Sequence, residues 1–259
     1  MADIWAKIEG SLIDVVYGSN FIEVTGSNFA VTEELSRKIF RGEEVSAEVE
    51  LGSPEYEQAK TALIGLDRPS SFEDALKYAI NHILNNEPIT EDFPKEAHLR
   101  LCAGQVLGQD AGEPAIYRTW EIAARHGADS KKRSIFIRAS AVSRYMSDLV
   151  DDLREDMIAA EKEPIDPLDM ASRYCHRFVC IHPFGDGNGR RCRILLNIIL
   201  FKYEGHVGAF GGTENERQEY LDIARHGNKI FHDEDMEVAE GDKKGHHQLA
   251  EFIRRNRVR

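Results

Sequence analysis

The amino-acid sequence predicts a mostly α-helical fold with one β-hairpin. Apolar residues recur every three or four positions in most segments between residues 4 and 255, the spacing that places them on one face of a helix. One stretch, residues 117–140, instead alternates apolar and polar residues on both sides of a turn-prone basic segment. No internal repeat or low-complexity linker divides the chain. We therefore expect one structural unit, a helical domain that carries a hairpin.

The composition is that of a globular protein with its own core. Of the 259 residues, 42% are hydrophobic and 30% are charged, and a chain of this length can bury a sizeable core. The formal net charge of −12 argues against general nucleic-acid binding, because a polyanion requires a basic surface. The basic segment RRNRVR at residues 254–259 fits the end of a final helix, where cations complement the helix dipole.

Nothing in the sequence indicates a membrane-spanning or exported protein. No apolar run approaches the roughly 20 residues of a membrane helix, and the opening MADIWAKIEG lacks the features of a signal peptide. The four cysteines, Cys102, Cys175, Cys180 and Cys192, show no CxxC spacing, so we expect buried reduced thiols. We expect a cytoplasmic protein, with the nucleus left open.

Helical patterns cover most of the first hundred residues. The first predicted helix spans residues 4–17 and ends at Gly18, and the segment SNFIEV follows as a separate short helix. The next predicted helix, residues 31–40, has Thr32 as its candidate N-cap. Three further helices are predicted over residues 54–65, 72–84 and 93–106.

The predicted hairpin separates these helices from a second group. Its strands IYRTWEIAA and SIFIRAS flank a loop whose basic tip contains Lys131, Lys132 and Arg133. Such a tip fits an acidic target surface, although exposed charge runs are usually just solvated. Helices are then predicted over residues 141–153, 167–180, 190–203, 214–224 and 248–255.

A polar loop stands directly before a helix that the pattern predicts to be buried. Residues 182–193 have the sequence HPFGDGNGRRCR, and the apolar run ILLNIIL follows at once within the predicted helix 190–203. The first turn of a helix leaves N–H groups without partners and carries partial positive charge. Gly187, Asn188 and Gly189, just before this helix, let the backbone approach a ligand closely. The loop therefore predicts an anion-binding site.

The charged side chains of the loop indicate which kind of anion would bind there. Arg190 and Arg193 are three residues apart and share one helix face, and two guanidinium groups suit a polyphosphate. Asp186 fits beside them if Mg²⁺ lies between it and the phosphates. His182 is the loop residue that can take a proton near neutral pH, although a lone histidine before proline is more often structural. Together these residues indicate a nucleoside triphosphate site.

The same twelve residues resemble the signature HPFx(D/E)GNGRxxR of the Fic family, with every fixed position present. The resemblance implies a largely helical fold with a β-hairpin flap near the active site, and transfer of AMP from ATP to a target protein. It implies that His182 deprotonates a Ser, Thr or Tyr hydroxyl and that Asp186 binds Mg²⁺. The nucleotide-binding residues that it implies are Phe184, Gly187, Asn188, Gly189, Arg190 and Arg193.

Two further segments extend the resemblance. Residues 117–140 fall where the family has its flap, which implies Phe136 and Ile137 as residues that clamp the target side chain; a hairpin without a target is the alternative. The segment RQEYLDIARHGN resembles the part of the family that lines the adenine pocket, although Arg225 and His226 stand where small residues are expected. The candidates for adenine contact in this segment are Tyr220, Leu221, Ala224 and Asn228.

The segment SNFIEV resembles the inhibitory helix that a subset of Fic proteins carries. Its pattern is (S/T)xxxE(G/N), matched here by Ser19 and Glu23, whereas Val24 departs from it. The resemblance implies that Glu23 pairs with Arg193 and displaces the γ-phosphate of ATP. An ordinary surface glutamate with a cap-like serine is the alternative.

The sequence leaves several alternatives open. We expect an N-terminal helical segment over residues 1–45 and a Fic-like catalytic part over residues 46–259. The expected activity is Mg²⁺- and ATP-dependent protein adenylylation that Glu23 restrains, with a target protein as partner and a homodimer left open. The alternatives are removal of AMP from a target, transfer of UMP or phosphate, and a nucleotide-binding module without catalysis.

Overall fold

The computed structural model describes residues 2–43, 71–103, 112–126, 129–235 and 237–256. Within these ranges the chain forms nine α-helices, two 3₁₀ turns and one antiparallel strand pair. The prediction of a mostly helical fold with a single hairpin is thereby confirmed for the described residues. The predicted helix over residues 54–65 and the predicted boundary near residue 45 lie outside them.

The strand pair lies between the fourth and fifth helices in the chain. The helices are α1 (Ala2–Ile22), α2 (Phe29–Arg41), α3 (Ser71–Leu84), α4 (Asp92–Leu101), α5 (Val142–Ala160), α6 (Pro167–Ile181), α7 (Asn188–Glu204), α8 (Glu214–Glu234) and α9 (His247–Asn256). The strands are β1 (Ala123–His126) and β2 (Asp129–Ile135), and the 3₁₀ turns are Ala139–Ala141 and Glu240–Asp242.

Helix α7 lies at the centre of the fold. The residues from Ile194 to Leu200 are all at most 5% exposed, because α7 packs against α6, α3, α4 and α1. Burying one such aliphatic side chain contributes about 1.5–3 kcal/mol. The packing therefore anchors α7 firmly and fixes the direction of its N-terminus.

Helix α1 continues through Gly18, where the sequence predicted an end. A Cβ atom at Gly18 would lie 2.1 Å from the carbonyl oxygen of Phe210. Glycine is needed there because two backbone segments touch, and not because the helix stops. The prediction of a separate SNFIEV helix was wrong, since residues 19–22 form the last turn of α1 and Glu23 and Val24 follow it directly. Leu12 and Val16, fully buried, anchor the helix that carries it.

Helix α8 is longer than the predicted helix over residues 214–224. Helix α8 continues to Glu234 because Gly227 is a packing position. A Cβ atom there would lie 3.0 Å from the carbonyl oxygen of Gly245 and 3.0 Å from Nε2 of His176. Asn228 is therefore held inside a helix that packs against α6.

The hairpin is shorter than the alternating pattern predicted. Strand β1 pairs with β2 in a register that sets Ala123 opposite Ile135, with an irregularity after Arg125. The residues on either side are not in strands. Arg118 and Ile137 are 1% and 6% exposed, so the pattern in those flanks reflects packing onto the helices.

Several helix ends differ from the predicted ones. Helix α2 begins at Phe29 because the side chain of Asn28, and not that of Thr32, caps it by accepting the N–H of Val31 at 3.1 Å. Helix α4 ends at Leu101, before the predicted end at residue 106. Residues 104–106 lie outside the described ranges.

Three expectations about composition can be compared with the fold. The four cysteines are buried free thiols, as predicted. Arg254 and Arg255 lie in the last turn of α9, as expected for part of the basic C-terminal segment. Over the described ranges, none of the helices combines the length and the apolar character needed to cross a membrane.

Candidate active site

His182 terminates helix α6. It has φ 53° and ψ 60°, and its N–H donates to the carbonyl of Phe178 at 3.0 Å. The ring turns back so that Nδ1 lies 3.1 Å from the carbonyl oxygen of Val179. A carbonyl only accepts hydrogen bonds, so Nδ1 carries the proton and Nε2 keeps its lone pair. The local structure thus presents His182 as a proton acceptor.

The surroundings of His182 keep its ring neutral. Burial lowers the pKa of His182 to about 4, and the positive charge of Arg118 acts in the same direction. The hydrogen bond to Val179 and the charges of Glu23 and Asp186 oppose this shift. The ring of Phe136 stacks on the imidazole with centroids 3.8 Å apart. His182 is therefore in the form that a general base requires at neutral pH.

The buried side chains of Phe184 and Asn188 hold the loop in its conformation. Phe184 is fully buried and stacks on His98 at 3.7 Å. The side chain of Asn188 accepts the N–H of Phe184 at 3.0 Å and donates to its carbonyl at 2.8 Å. These side chains hold the loop in place, and the predicted contact of Phe184 and Asn188 with nucleotide stays a prediction.

We expect Asn188→Ala to lower the free energy of unfolding by about 2–4 kcal/mol, because two buried backbone groups of Phe184 would lose their partners. Urea unfolding measures this change. The exposed Asn85, whose side chain donates to the carboxylate of Glu87, provides a control as Asn85→Ala. A change below about 0.5 kcal/mol for Asn188→Ala would contradict the proposed role.

Helix α7 begins at Asn188, two residues earlier than predicted. Gly187 precedes it with φ 74°, a left-handed conformation that favours glycine. Asn188, Gly189 and Arg190 therefore form the first turn, and their N–H groups have no intrahelical acceptor. This turn provides the predicted anion-binding position.

The carboxylate of Glu23 lies at that position. A Cβ atom added at Gly189 would be 2.2 Å from Oε1 of Glu23, so the carboxylate rests against the first turn of α7. The same oxygen accepts a hydrogen bond from Nη2 of Arg193 at 2.6 Å. The predicted contact between Glu23 and Arg193 is present. The carboxylate thus lies against the turn where the sequence predicts an anion.

Arg193 is also held by the last turn of α1. Its Nε donates to Oγ of Ser19 at 2.8 Å, and Nη2 donates to the Ser19 carbonyl at 3.1 Å. Burial acts to lower the pKa of Arg193, but the charge and hydrogen bond of Glu23 together with Tyr220 and Cys192 outweigh this and raise it. The guanidinium is 3% exposed, so it stays charged and engaged with α1.

Helix α1 ends in a Schellman motif at Val24. The N–H of Thr25 donates to the carbonyl of Asn20 at 3.0 Å, and the N–H of Val24 donates to Phe21 at 3.1 Å. Val24 has φ 56°, in the left-handed region. The inhibitory pattern has Gly or Asn here, and these residues tolerate that conformation best.

Asp186 and Arg190 border the open side of the loop. The Asp186 side chain is 58% exposed, and Nη2 of Arg190 lies 3.8 Å from its carboxylate. The Asp186 carbonyl interacts with Nε2 of His98 at 3.1 Å, which holds the backbone in place. An exposed carboxylate beside an anion site fits Mg²⁺, which typically binds one or two carboxylates together with phosphates and water.

The residues predicted to line the adenine pocket divide into two groups. Tyr220 is 4% exposed, with its hydroxyl 3.5 Å from Nη1 of Arg193. Asn228 donates from Nδ2 to the carbonyl of Ile135 at 3.0 Å and so binds the hairpin. Leu221 and Ala224 are only partly buried. Tyr220 and Asn228 thus have structural partners, whereas Leu221 and Ala224 remain candidates for contact with a base.

A cavity of about 650 Å³ lies between the loop and the hairpin. It is lined by residues that include Trp120, Ala124, Phe136, His182 and Gly185. Phe136 and His182 therefore face one space, whereas Ile137 is buried in the core. The predicted clamping of a target side chain by Phe136 and Ile137 stays a prediction.

Residues 88–200 match the model of the Fic/DOC family. This range contains the whole loop from His182 to Arg193. The chain contains a Fic domain. Glu23 and Tyr220 lie outside the matched range, so the family match covers neither the segment that contains Glu23 nor helix α8.

Curated relatives of this Fic domain include two that are named protein adenylyltransferases. The chain is 28% identical over 166 residues to protein adenylyltransferase Fic of Nematostella vectensis, which covers 60% of the chain and 34% of that protein. It is 38% identical over 61 residues to fic-1 of Caenorhabditis elegans, covering 24% of the chain and 11% of that protein. The chain thus spans about a third or less of these two relatives.

Solved structures share the fold. A Fic domain-containing signaling protein from Bacteroides thetaiotaomicron superposes with a TM-score of 0.67 at 19% identity, covering 98% of this chain and 86% of that one. A fragment of C. elegans Fic-1 gives a TM-score of 0.62 at 18% identity, covering 99% and 63%. At these identities the likeness extends to the fold alone.

Sequence reasoning missed two residues that support the loop of the Fic domain. Arg118 is 1% exposed and donates to the carbonyls of Ile181 and His182. His98 contacts the loop through Asp186 and Phe184. No pattern marked them, because a single arginine in IYRTW fits the polar side of a strand and a single histidine fits a helix surface.

A separate cluster contains Asp169, His246 and His247, the only three potential metal ligands that lie close together among the described residues. Nε2 of His246 is already 2.8 Å from the Asp169 carboxylate. Asp169 lies in the first turn of α6 and His247 begins α9, and helix N-termini disfavour cations. The contact is best interpreted as one that joins α9 to α6.

Proposed function

We propose that this Fic domain transfers AMP from ATP to a Ser, Thr or Tyr hydroxyl of a target protein. The observation that carries the proposal is the neutral His182, whose Nε2 is free to accept a proton beside the cavity under the hairpin. The anion-binding first turn of α7 lies a few residues away. The names of the curated relatives support the same activity.

In the proposed reaction, Nε2 of His182 removes the proton of the target hydroxyl. The hydroxyl oxygen forms a bond to the α-phosphorus of ATP, the bond from that phosphorus to its bridging oxygen breaks, and pyrophosphate leaves. The N–H groups of Gly189 and Arg190 and the guanidinium of Arg190 bind the phosphates. Asp186 would hold Mg²⁺, which neutralises phosphate charge when bound. Positioning and charge stabilisation supply most of the acceleration.

We further propose that Glu23 restrains this reaction. Its carboxylate occupies the anion position at Gly189 and engages Arg193, which would otherwise bind the γ-phosphate. Two anions cannot share that position without strong repulsion. A triphosphate would then bind with its γ-phosphate displaced and its α-phosphorus turned away from in-line attack.

Removal of AMP from a target is the second candidate function. The observation that favours it is the Glu23 side chain, which is 36% exposed while one oxygen binds Arg193. A carboxylate in this place can orient a water molecule toward a phosphate ester. This activity would use the same site and the same target.

The position of a label in the nucleotide distinguishes the candidate activities. The Glu23→Gly protein is incubated with lysate proteins, Mg²⁺ and ATP labelled at the α- or the γ-phosphorus. Protein labelling from α-labelled ATP alone supports AMP transfer. Labelling from γ-labelled ATP indicates phosphate transfer, and preferential labelling from α-labelled UTP indicates UMP transfer. Binding of ATP without any labelling would favour a module without catalysis.

We expect kcat/KM for AMP transfer by Glu23→Gly to change little between pH 8 and pH 6. A general base must be neutral, and the neutral fraction of His182 falls only as the pH falls through its pKa of about 4. Since Glu23 raises this pKa, its removal keeps the pKa low. An ordinary histidine would lose roughly fourfold at pH 6. Initial rates at saturating Mg²⁺ measure the profile, and a fall centred near pH 6.5 would contradict the neutral base.

A further inference from the structure

The guanidinium of Arg118 lies where three segments of the Fic domain meet. Nε donates to the carbonyl of His182 at 2.7 Å, Nη1 donates to Trp120 at 3.0 Å, and Nη2 donates to Ile181 at 3.2 Å. Nη2 also donates to the carbonyl of Ile137. Four of its five N–H groups are therefore bound to backbone oxygens. Its side chain is buried, with the residue 1% exposed.

The backbone that Arg118 binds is strained. His182 is in the left-handed region, which costs a non-glycine residue free energy. The following Pro183 further restricts its backbone and favours extended conformations at His182. Arg118 binds the carbonyls on both sides of this point, and its own N–H donates to the Pro183 carbonyl at 2.8 Å. One residue thus stabilises three successive carbonyl groups around the strained position.

The strained conformation has a direct effect on the chemistry. It is the turn at His182 that brings Nδ1 to the carbonyl of Val179 and leaves Nε2 free. If His182 relaxed to an extended conformation, its ring would lose this hydrogen bond and its aim toward the cavity. Contacts that stabilise the backbone at His182 therefore also keep its imidazole ring in position as a base.

Arg118 also connects the base to the hairpin. The Ile137 carbonyl that it binds belongs to the residue after Phe136, whose ring stacks on His182. The distance between the hairpin, where a target would dock, and the base is thus set through one rigid planar group. Lysine cannot replace it, because a single ammonium does not reach acceptors on three segments at once.

We propose that Arg118 is a positioning residue for adenylyl transfer, one that holds His182 in its left-handed conformation and fixes it relative to the hairpin. The inference rests on the proposed function, since it assigns His182 the role of base. The hydrogen bonds of the Arg118 side chain involve neither the anion site at α7 nor Glu23. Its loss therefore affects the reaction step and target use rather than the binding of ATP.

The test uses Arg118→Met in the Glu23→Gly background, with Arg177→Met as a matched control. Arg177 is also a buried arginine and lies on α6, but it pairs with Asp152 and Glu240 and not with the loop. We expect Arg118→Met to lower kcat about 100-fold and to raise KM for the target, while Kd for ATP stays within about threefold. Methylguanidine at low millimolar concentration should restore part of kcat in Arg118→Met alone. We expect kcat of the control to stay within about threefold of the parent.

Other results would overturn the proposal. These are a kcat of Arg118→Met within threefold of the parent, or a parallel loss of kcat and ATP binding that methylguanidine does not restore. If Arg118→Met does not fold, Arg118→Lys takes its place, and an unchanged kcat in the folded lysine variant overturns the proposal. A parent without any transfer activity would instead contradict the proposed function.

Hydrogen–deuterium exchange distinguishes a failure of the positioning role from a failure of the proposed function. In Arg118→Met we expect amide exchange to accelerate at least about tenfold in both residues 179–187 and residues 134–139, because opening either segment no longer breaks these hydrogen bonds. The Arg177→Met control should leave both segments unchanged. Equal exchange in the two variants would overturn the positioning role even if the enzyme has another activity.

Discussion

Glu23→Gly is expected to raise the rate of AMP transfer roughly 10- to 100-fold, because each hydrogen bond to a charged group contributes about 1.5–3 kcal/mol. The variant removes the carboxylate from the anion position at Gly189 and frees Arg193 for the γ-phosphate. Glycine suits the end of α1, so the fold should be preserved. The measurement is the initial rate of protein labelling from α-labelled ATP, compared with wild type at equal concentration.

Two variants serve as controls for this result. Glu23→Gln keeps the size of the side chain without its charge and should activate to a smaller extent. Glu9→Gln removes another carboxylate of α1, one that pairs with Arg37 and Arg41 far along the helix, and should leave the rate unchanged. Equal rates for wild type and Glu23→Gly, or equal activation by Glu9→Gln, would show that Glu23 is not a specific restraint.

His182→Ala in the Glu23→Gly background is expected to reduce AMP transfer by about 10²- to 10⁴-fold, the contribution of a general base. The site loses the Nε2 lone pair that faces the cavity. Binding of ATP should change by no more than a few-fold, since the ring contacts Val179 and Phe136 and not the first turn of α7. Single-turnover labelling measures the reaction step, and equilibrium binding measures the nucleotide.

The exposed His206, near the end of α7, provides the matched control as His206→Ala. Its rate should equal that of the parent. Persistent labelling in His182→Ala would mean that another group takes the proton. A parallel loss of ATP binding would mean that His182 acts mainly in shaping the loop.

The core of the candidate site could be predicted from the sequence because its residues are contiguous. His182, Asp186 and Arg193 occupy one short stretch, and their chemistry is apparent from residue type and spacing alone. The contact between Glu23 and Arg193 joins distant segments. Its prediction depended on resemblance, since a Ser-x-x-x-Glu pattern by itself is typical of many helix surfaces.

The remaining features depend on contacts between residues far apart in the chain. Gly18 was interpreted as a helix end because its close approach to Phe210 cannot be seen in the sequence. Phe184 was assigned to the nucleotide, although it is fully buried against His98. Arg118 had no recognisable pattern. Burial of a polar or aromatic side chain is decided by partners that only the fold brings together.

The left-handed conformation of Val24 affects how easily the restraint is released. A β-branched residue in this region is destabilised by about 1–2 kcal/mol, which opposes the hydrogen bond between Glu23 and Arg193. The buried side chains of α1, such as Leu12 and Val16, keep the helix itself in place. Opening therefore requires only a rearrangement of its last few residues. In the proposed restraint, this strain reduces the free-energy difference between the restrained and released forms, so a ligand that prefers the released form needs less differential affinity to shift them.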